Sequence, residues 1–123
     1  MRSLAPGSLE RQSMETERLL QELARGRTLE PFRALVEPLV VYDRERRSDL
    51  VKTLKVYFDA GTNTSEAADR LFLHRNSMLY RLARVEKLTG LDLKDPRARL
   101  ALQLGLLNVS VSERSTEDAT EHP

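Results

Sequence analysis

The stretch NTSEAADRLFLHRNSMLYRLARVEKL, Asn63 to Leu88, decides how this chain folds. Asn63 is a residue type whose side chain accepts a bond from an exposed helix N–H, and Glu66 follows three positions later, where it can reach back. That is a capping-box-like start. Ala67 and Ala68 put the smallest helical side chains where another helix can cross at close range, and Leu71 and Leu73 supply apolar anchors around a turn. A second, longer helix begins near His74 or Arg75. Met78, Leu82 and Val85 stand at i, i+4 and i+7 and form its apolar stripe. Arg75, Asn76, Ser77, Tyr80, Arg81, Arg84 and Lys87 mostly fall off that stripe. The spacing predicts a short helix, a tight turn and a longer helix with a cationic outer face.

From Arg75 to Lys87 such a helix is about 20 Å long at 1.5 Å per residue, and its first two turns fit a DNA major groove about 12 Å wide. A helix held down by its apolar side that presents Arg, Asn, Ser and Tyr outward has what groove reading requires. In that reading Arg75 suits bidentate bonding to guanine O6 and N7, with Asn76 and Ser77 as nearby polar readers. Tyr80, Arg81, Arg84 and Lys87 stand where phosphates are held. The pattern alone leaves an alternative: a helical protein-interaction or dimerisation module without specific DNA binding, whose charged face is only solvated.

The chain before this stretch reads as support. Residues 1–12, MRSLAPGSLERQ, hold no sustained period and are expected to be a mobile leader; residues 13–47 form a helical lead-in. Ser13 precedes METERLLQELARG, in which Met14, Leu19, Leu20 and Leu23 make a partial apolar face and Gly26 is a natural stop. Thr28 is the expected cap of the next segment, with Pro31 near its first turn and Phe32, Leu35 and Val36 as its buried side. Pro38 is expected to force a break or a fresh start. Arg44, Arg46 and Arg47 read as a solvated face, with phosphate contact as the minor alternative. Ser48 or Asp49 then opens a clear amphipathic helix, with Leu50, Val51, Leu54, Tyr57 and Phe58 on one side and Gly61 at its end.

Beyond the long helix, Gly90 is the expected C-terminal stop, Leu91 and Leu93 pin a short connector, and Asp95 followed by Pro96 is an N-cap with proline at the first helical position. RARLALQLGLLN, residues 97–108, is apolar nearly all round, so it is buried on more than one side, under its own domain or against a second subunit. Residues 48–109 make up the helix-turn-helix domain, and the acidic residues 110–123 are expected to be a disordered tail. No β pattern of useful length is present. The class is all-α, a small helical bundle.

Composition narrows the function. The 123 residues hold no cysteine, which removes disulfides, thiolate catalysis and Cys-based zinc sites. No apolar run reaches the roughly 18 residues of a membrane span, no secretory pattern opens the chain, and a cytoplasmic location is expected. The net charge is +1, but residues 113–123 carry four acids against Arg114, leaving 19 Lys and Arg against 15 Asp and Glu elsewhere. The folded part is the cationic part. There is no Gly-rich phosphate loop and no carboxylate pair spaced for acid–base work, and His74 and His122 suit capping or the tail better than proton transfer. Neither an enzyme, a cofactor nor a metal site is expected.

Three ordered segments carry a family resemblance: HRNSMLYRL at 74–82, VEKLTGLDLKDP at 85–96 and RLALQLGL at 99–106. With their spacing, Asp49 to Leu107 resembles the C-terminal helix-turn-helix domain of the PucR/CdaR family of bacterial transcription regulators. EPLVVYDRERRSDL, 37–50, looks like the end of the linker that precedes that domain, and Asn63 to Leu82 is also similar to the Fis-type helix-turn-helix. The resemblance implies DNA contact around Arg75, Asn76, Ser77, Tyr80, Arg81 and Arg84. Leu79 and Ala83 depart from it, standing where arginine is common. Leu79 either packs or meets a thymine methyl. Members normally carry long sensory regions ahead of the domain, whereas 48 residues precede Asp49 here, as in an excised fragment or a short regulator without its sensor. No small-molecule effector is assignable. A single helix gives limited specificity, so a homodimer on double-stranded DNA is expected, with half-sites about 34 Å or a multiple apart.

Overall fold

The computed structural model describes the backbone of residues 6–120 and the side-chain surroundings of residues 7–110. Six helices and no strand are present among the described residues: α1 (Pro6–Arg25), α2 (Glu30–Arg46), α3 (Leu50–Asp59), α4 (Thr64–Arg70), α5 (Arg75–Thr89) and α6 (Pro96–Thr120). A single 3-10 turn, Arg27–Leu29, joins α1 to α2. The all-α class follows.

The core forms where the apolar stripes of α2, α3, α5 and α6 converge. Val36 and Leu39 of α2, Leu54 of α3, Met78 and Val85 of α5 and Leu102 of α6 are fully buried together. Each such side chain contributes about 1.5–3 kcal/mol through burial. Helices α2 and α6 cross at close range. A Cβ placed on Gly105 would lie 2.4 Å from the Phe32 carbonyl oxygen and 3.2 Å from Val36 Cγ1, so only glycine lets the two backbones approach this closely. This crossing absorbs most of the apolar surplus of α6: Leu102 and Leu106 are buried, and Leu100 alone of its leucines stays well exposed, at 58%.

Several local expectations differ from the structure. Pro38 does not break α2, which runs unbroken from Glu30 to Arg46. Pro38 and Ala34, whose carbonyl loses its helical partner, both lie on the solvent side, where water can replace the bond. The buried neighbours Val36 and Leu39 hold the helix on course. Thr28 caps nothing; it sits inside the 3-10 turn, and α2 starts after Leu29 without a side-chain cap. Helix α1 starts at Pro6 rather than after Ser13, and α6 continues to Thr120, through residues expected to form a tail. Proline at a helix start loses no bond, and nothing in residues 109–120 is a strong helix breaker. The leader at 1–5 and the tail at 121–123, with His122, lie outside the described residues.

Candidate nucleic-acid interface

The start of α4 is fixed by Asn63, whose Oδ1 accepts the Glu66 N–H at 2.9 Å. The reciprocal half of the box is not made: the Asn63 N–H donates to the Ala60 carbonyl at 3.2 Å, and the Glu66 carboxylate pairs with Arg70 at 2.6 Å. Ala67 and Ala68 are buried, as their size predicted. Helix α4 then ends in a Schellman arrangement: Leu73 N–H donates to the Ala68 carbonyl at 2.9 Å and Phe72 N–H to that of Asp69 at 3.1 Å. The residue in the left-handed position is not glycine but Phe72, φ 57°, with its ring 96% exposed at the turn.

Helix α5 begins directly after this turn. His74 is its N-cap, and its Nδ1 accepts the Asn76 N–H at 3.1 Å, which requires the proton on Nε2. The imidazole therefore caps. At the far end Gly90 takes the left-handed conformation, φ 71°, and its N–H returns to the Glu86 carbonyl at 2.8 Å. Glu86 also accepts the Leu93 N–H at 3.0 Å, and Asp95 Oδ1 accepts the Arg97 N–H at 3.0 Å to cap α6. Thus both ends of α5 are locked by short-range bonds while Met78, Leu82 and Val85 bury its inner side.

The predicted site residues fall into three groups around this helix. Arg75, Asn76, Ser77 and Lys87 are exposed. Tyr80 and Arg84 form a pair: the Arg84 guanidinium donates to the Tyr80 hydroxyl at 2.8 Å and lies 5.5 Å from its ring centroid. The hydrogen bond from Arg84, reinforced by its positive charge, lowers the Tyr80 phenol pKa from the ordinary 10.0, and the same bond raises that of Arg84. Arg81 is different. Its guanidinium is ion-paired with Asp49 and also donates to Thr53 Oγ1 at 3.2 Å, so it is turned toward α3. Leu79, 40% exposed, and Ala83 lie on the open side.

A cleft of about 770 Å³ runs between α5 and the α2–α3 junction, with Arg47, Asp49, Asn76, Ser77, Tyr80 and Arg84 in its walls. Tyr42, in its far wall, and the neighbouring Asp43 carry no predicted site role. Tyr42 sits under two cations, with Arg46 5.6 Å and Arg84 5.9 Å from its ring centroid, and so links α2 to α5. Asp43 accepts the Leu50 N–H at 2.7 Å and the Val51 N–H at 3.0 Å, capping α3 from the preceding helix; the N-cap residue Asp49 makes no such bond. The i, i+4 pair Tyr42 and Arg46 was a readable signal; the Asp43 cap had none. No cluster of residues suited to hold a metal ion occurs among the described residues.

Comparison with known proteins agrees with this geometry. The PucR C-terminal helix-turn-helix domain family matches residues 50–107. The chain is similar to the purine catabolism regulatory protein of Bacillus subtilis, 39% identical over 75 residues, which are 61% of this chain and 14% of that protein. It is also similar to the proline-responsive transcriptional activator PutR of the same organism, 38% identical over 65 residues, 53% of this chain and 16% of the relative. The DNA-binding transcriptional activator AdeR, again of Bacillus subtilis, is 32% identical over 65 residues, 53% of this chain and 15% of the relative. The chain thus spans less than a fifth of the length of these curated relatives. No solved structure matches it significantly. Residues 50–107 are thus a PucR C-terminal helix-turn-helix domain, a DNA-binding domain of the transcription-regulator type.

Proposed function

We propose that the chain binds a specific duplex sequence by docking α5 in the major groove, as part of a bacterial transcription regulator acting in the cytoplasm and without enzymatic activity of its own. The observation that carries this reading is the division of α5 into a fully buried inner stripe and an exposed N-terminal face bearing Arg75, Asn76 and Ser77. In the proposal Arg75 bonds guanine O6 and N7, and Asn76 and Ser77 read neighbouring base edges. Tyr80, Arg84 and Lys87 hold phosphates. Arg81, being engaged by Asp49 and Thr53, is a positioning residue that sets α5 against α3. Leu79 stands where a thymine methyl is within reach of an apolar side chain. No helix among the described residues is long and apolar enough to cross a membrane.

The proposal includes a homodimer. Leu9, Leu19, Leu20 and Leu23 leave an apolar strip exposed along α1, and with α6 mostly absorbed by its own fold, α1 is the better candidate contact. Half-sites are then about 34 Å, or a multiple of that, apart. Selection of bound sequences from a random duplex pool tests the reading. Enrichment of one motif, repeated at that spacing, supports it. Failure to bind any duplex at about 50 mM salt favours a protein-interaction module, because a groove reader keeps non-specific affinity at low salt. A monomer in sedimentation at high concentration, with and without DNA, removes the dimer.

A further inference from the structure

We propose that Arg47, at the junction of α2 and α3, is a second phosphate-holding position, clamping the DNA strand that runs along the flank of α5. The inference rests on the groove-reading role of α5 given above. Arg47 lies in the wall of the cleft whose opposite wall carries Asn76, Ser77, Tyr80 and Arg84. A duplex that receives α5 in its groove brings one backbone strand along each flank of the helix. The strand on this flank passes through that cleft.

The backbone of Arg47 points the same way. Its φ of 52° and ψ of 43° are left-handed, a conformation in which glycine is the cheap residue and any other side chain is strained. A cation stands there instead. The junction is also rigid: the Ser48 N–H returns to the Asp43 carbonyl at 3.2 Å, and the Asp43 carboxylate holds the first N–H groups of α3. Tyr42, stacked with Arg46 and Arg84, fixes this end of α2 to α5. Arg47 is exposed, and no carboxylate pairs with it among the described residues. An exposed, unpaired guanidinium carried on a fixed backbone beside a groove-reading helix is a site for a phosphodiester oxygen.

Arg47→Gly separates this role from folding, since glycine relieves the left-handed backbone. Arg44→Ala is the control: it removes the same charge from the same helix end, but two residues from Tyr42 and so about 200° round α2. Binding of the whole chain to one duplex is measured across salt concentrations. Arg47→Gly is expected to reduce the slope of log K against log salt by about 0.9, the loss of one phosphate contact, equally on selected and random duplex. Its thermal midpoint should be unchanged or higher, Arg47→Lys should restore the slope, and Arg44→Ala should change it less. A wild-type slope and affinity in Arg47→Gly overturns the inference alone, as does an equal loss in Arg44→Ala. Absence of duplex binding by the unaltered chain at about 50 mM salt overturns both the inference and the reading it rests on.

Discussion

Asp43, in the last turn of α2, accepts the backbone N–H of Leu50 at 2.7 Å, so the first turn of α3 is capped by the helix before it. The same carboxylate takes the Val51 N–H at 3.0 Å and the Ser48 hydroxyl at 2.5 Å. Asp43→Ala is expected to cost about 1–2 kcal/mol, the range for losing a helix cap, measured by urea unfolding. Asp49→Ala should cost less, because Asp49 caps nothing. Equal losses would show that Asp43 has no special hold on the junction.

Gly105 sets the distance between α2 and α6. With a Cβ falling 2.4 Å from the Phe32 carbonyl oxygen, Gly105→Ala must push the helices apart and is expected to destabilise by about 1–3 kcal/mol. Helix propensity alone predicts the opposite, a gain of about 1 kcal/mol. The sign of the change in unfolding midpoint decides between close packing and propensity.

Arg81 and Arg84 are one helical turn apart along α5 yet are expected to behave differently. Arg81→Ala removes a partly exposed ion pair to Asp49, so it should cost stability by about 0.2–1 kcal/mol and leave the salt slope of DNA binding nearly unchanged. Arg84→Ala should reduce that slope by about 0.9 and weaken binding to all duplexes alike. A larger slope change for Arg81→Ala would assign the phosphate contact to it instead.

Tyr80 is expected to make binding sensitive to alkaline pH. Its phenol titrates below the ordinary 10.0 because the phenolate gains the Arg84 hydrogen bond and charge. The neutral phenol is the form compatible with a nearby phosphate, so affinity is fully present at neutral pH and falls as pH rises through the lowered value. The loss should set in below pH 10.0 and be absent in Tyr80→Phe. An unchanged alkaline loss in Tyr80→Phe would place its cause elsewhere.

Much of the helix-turn-helix is legible in the sequence because its signals are local. Asn63 caps four residues of chain, Gly90 and Asp95–Pro96 mark helix ends by their own backbone chemistry, and Met78, Leu82 and Val85 name the buried side of α5 by spacing alone. What could not be read depends on contacts far along the chain or on tertiary override. Pro38 carries a strong breaking signal, yet core packing on both sides of it keeps α2 whole. The inward turn of Arg81 depends on Asp49, 32 residues earlier. Gly105 was visible as a small residue in a leucine-rich helix, and a close crossing was the reading available from it. Arg47 and Phe72 occupy left-handed positions without the glycine that advertises them.

Base reading by Arg75 is tested most directly by the affinity of Arg75→Ala for a selected duplex and for a random duplex at one salt concentration. The predicted result is a loss of about 1–3 kcal/mol on the selected duplex, with relaxed preference at one base position and little change on the random one. Equal losses on both would contradict it, reducing Arg75 to one more phosphate contact.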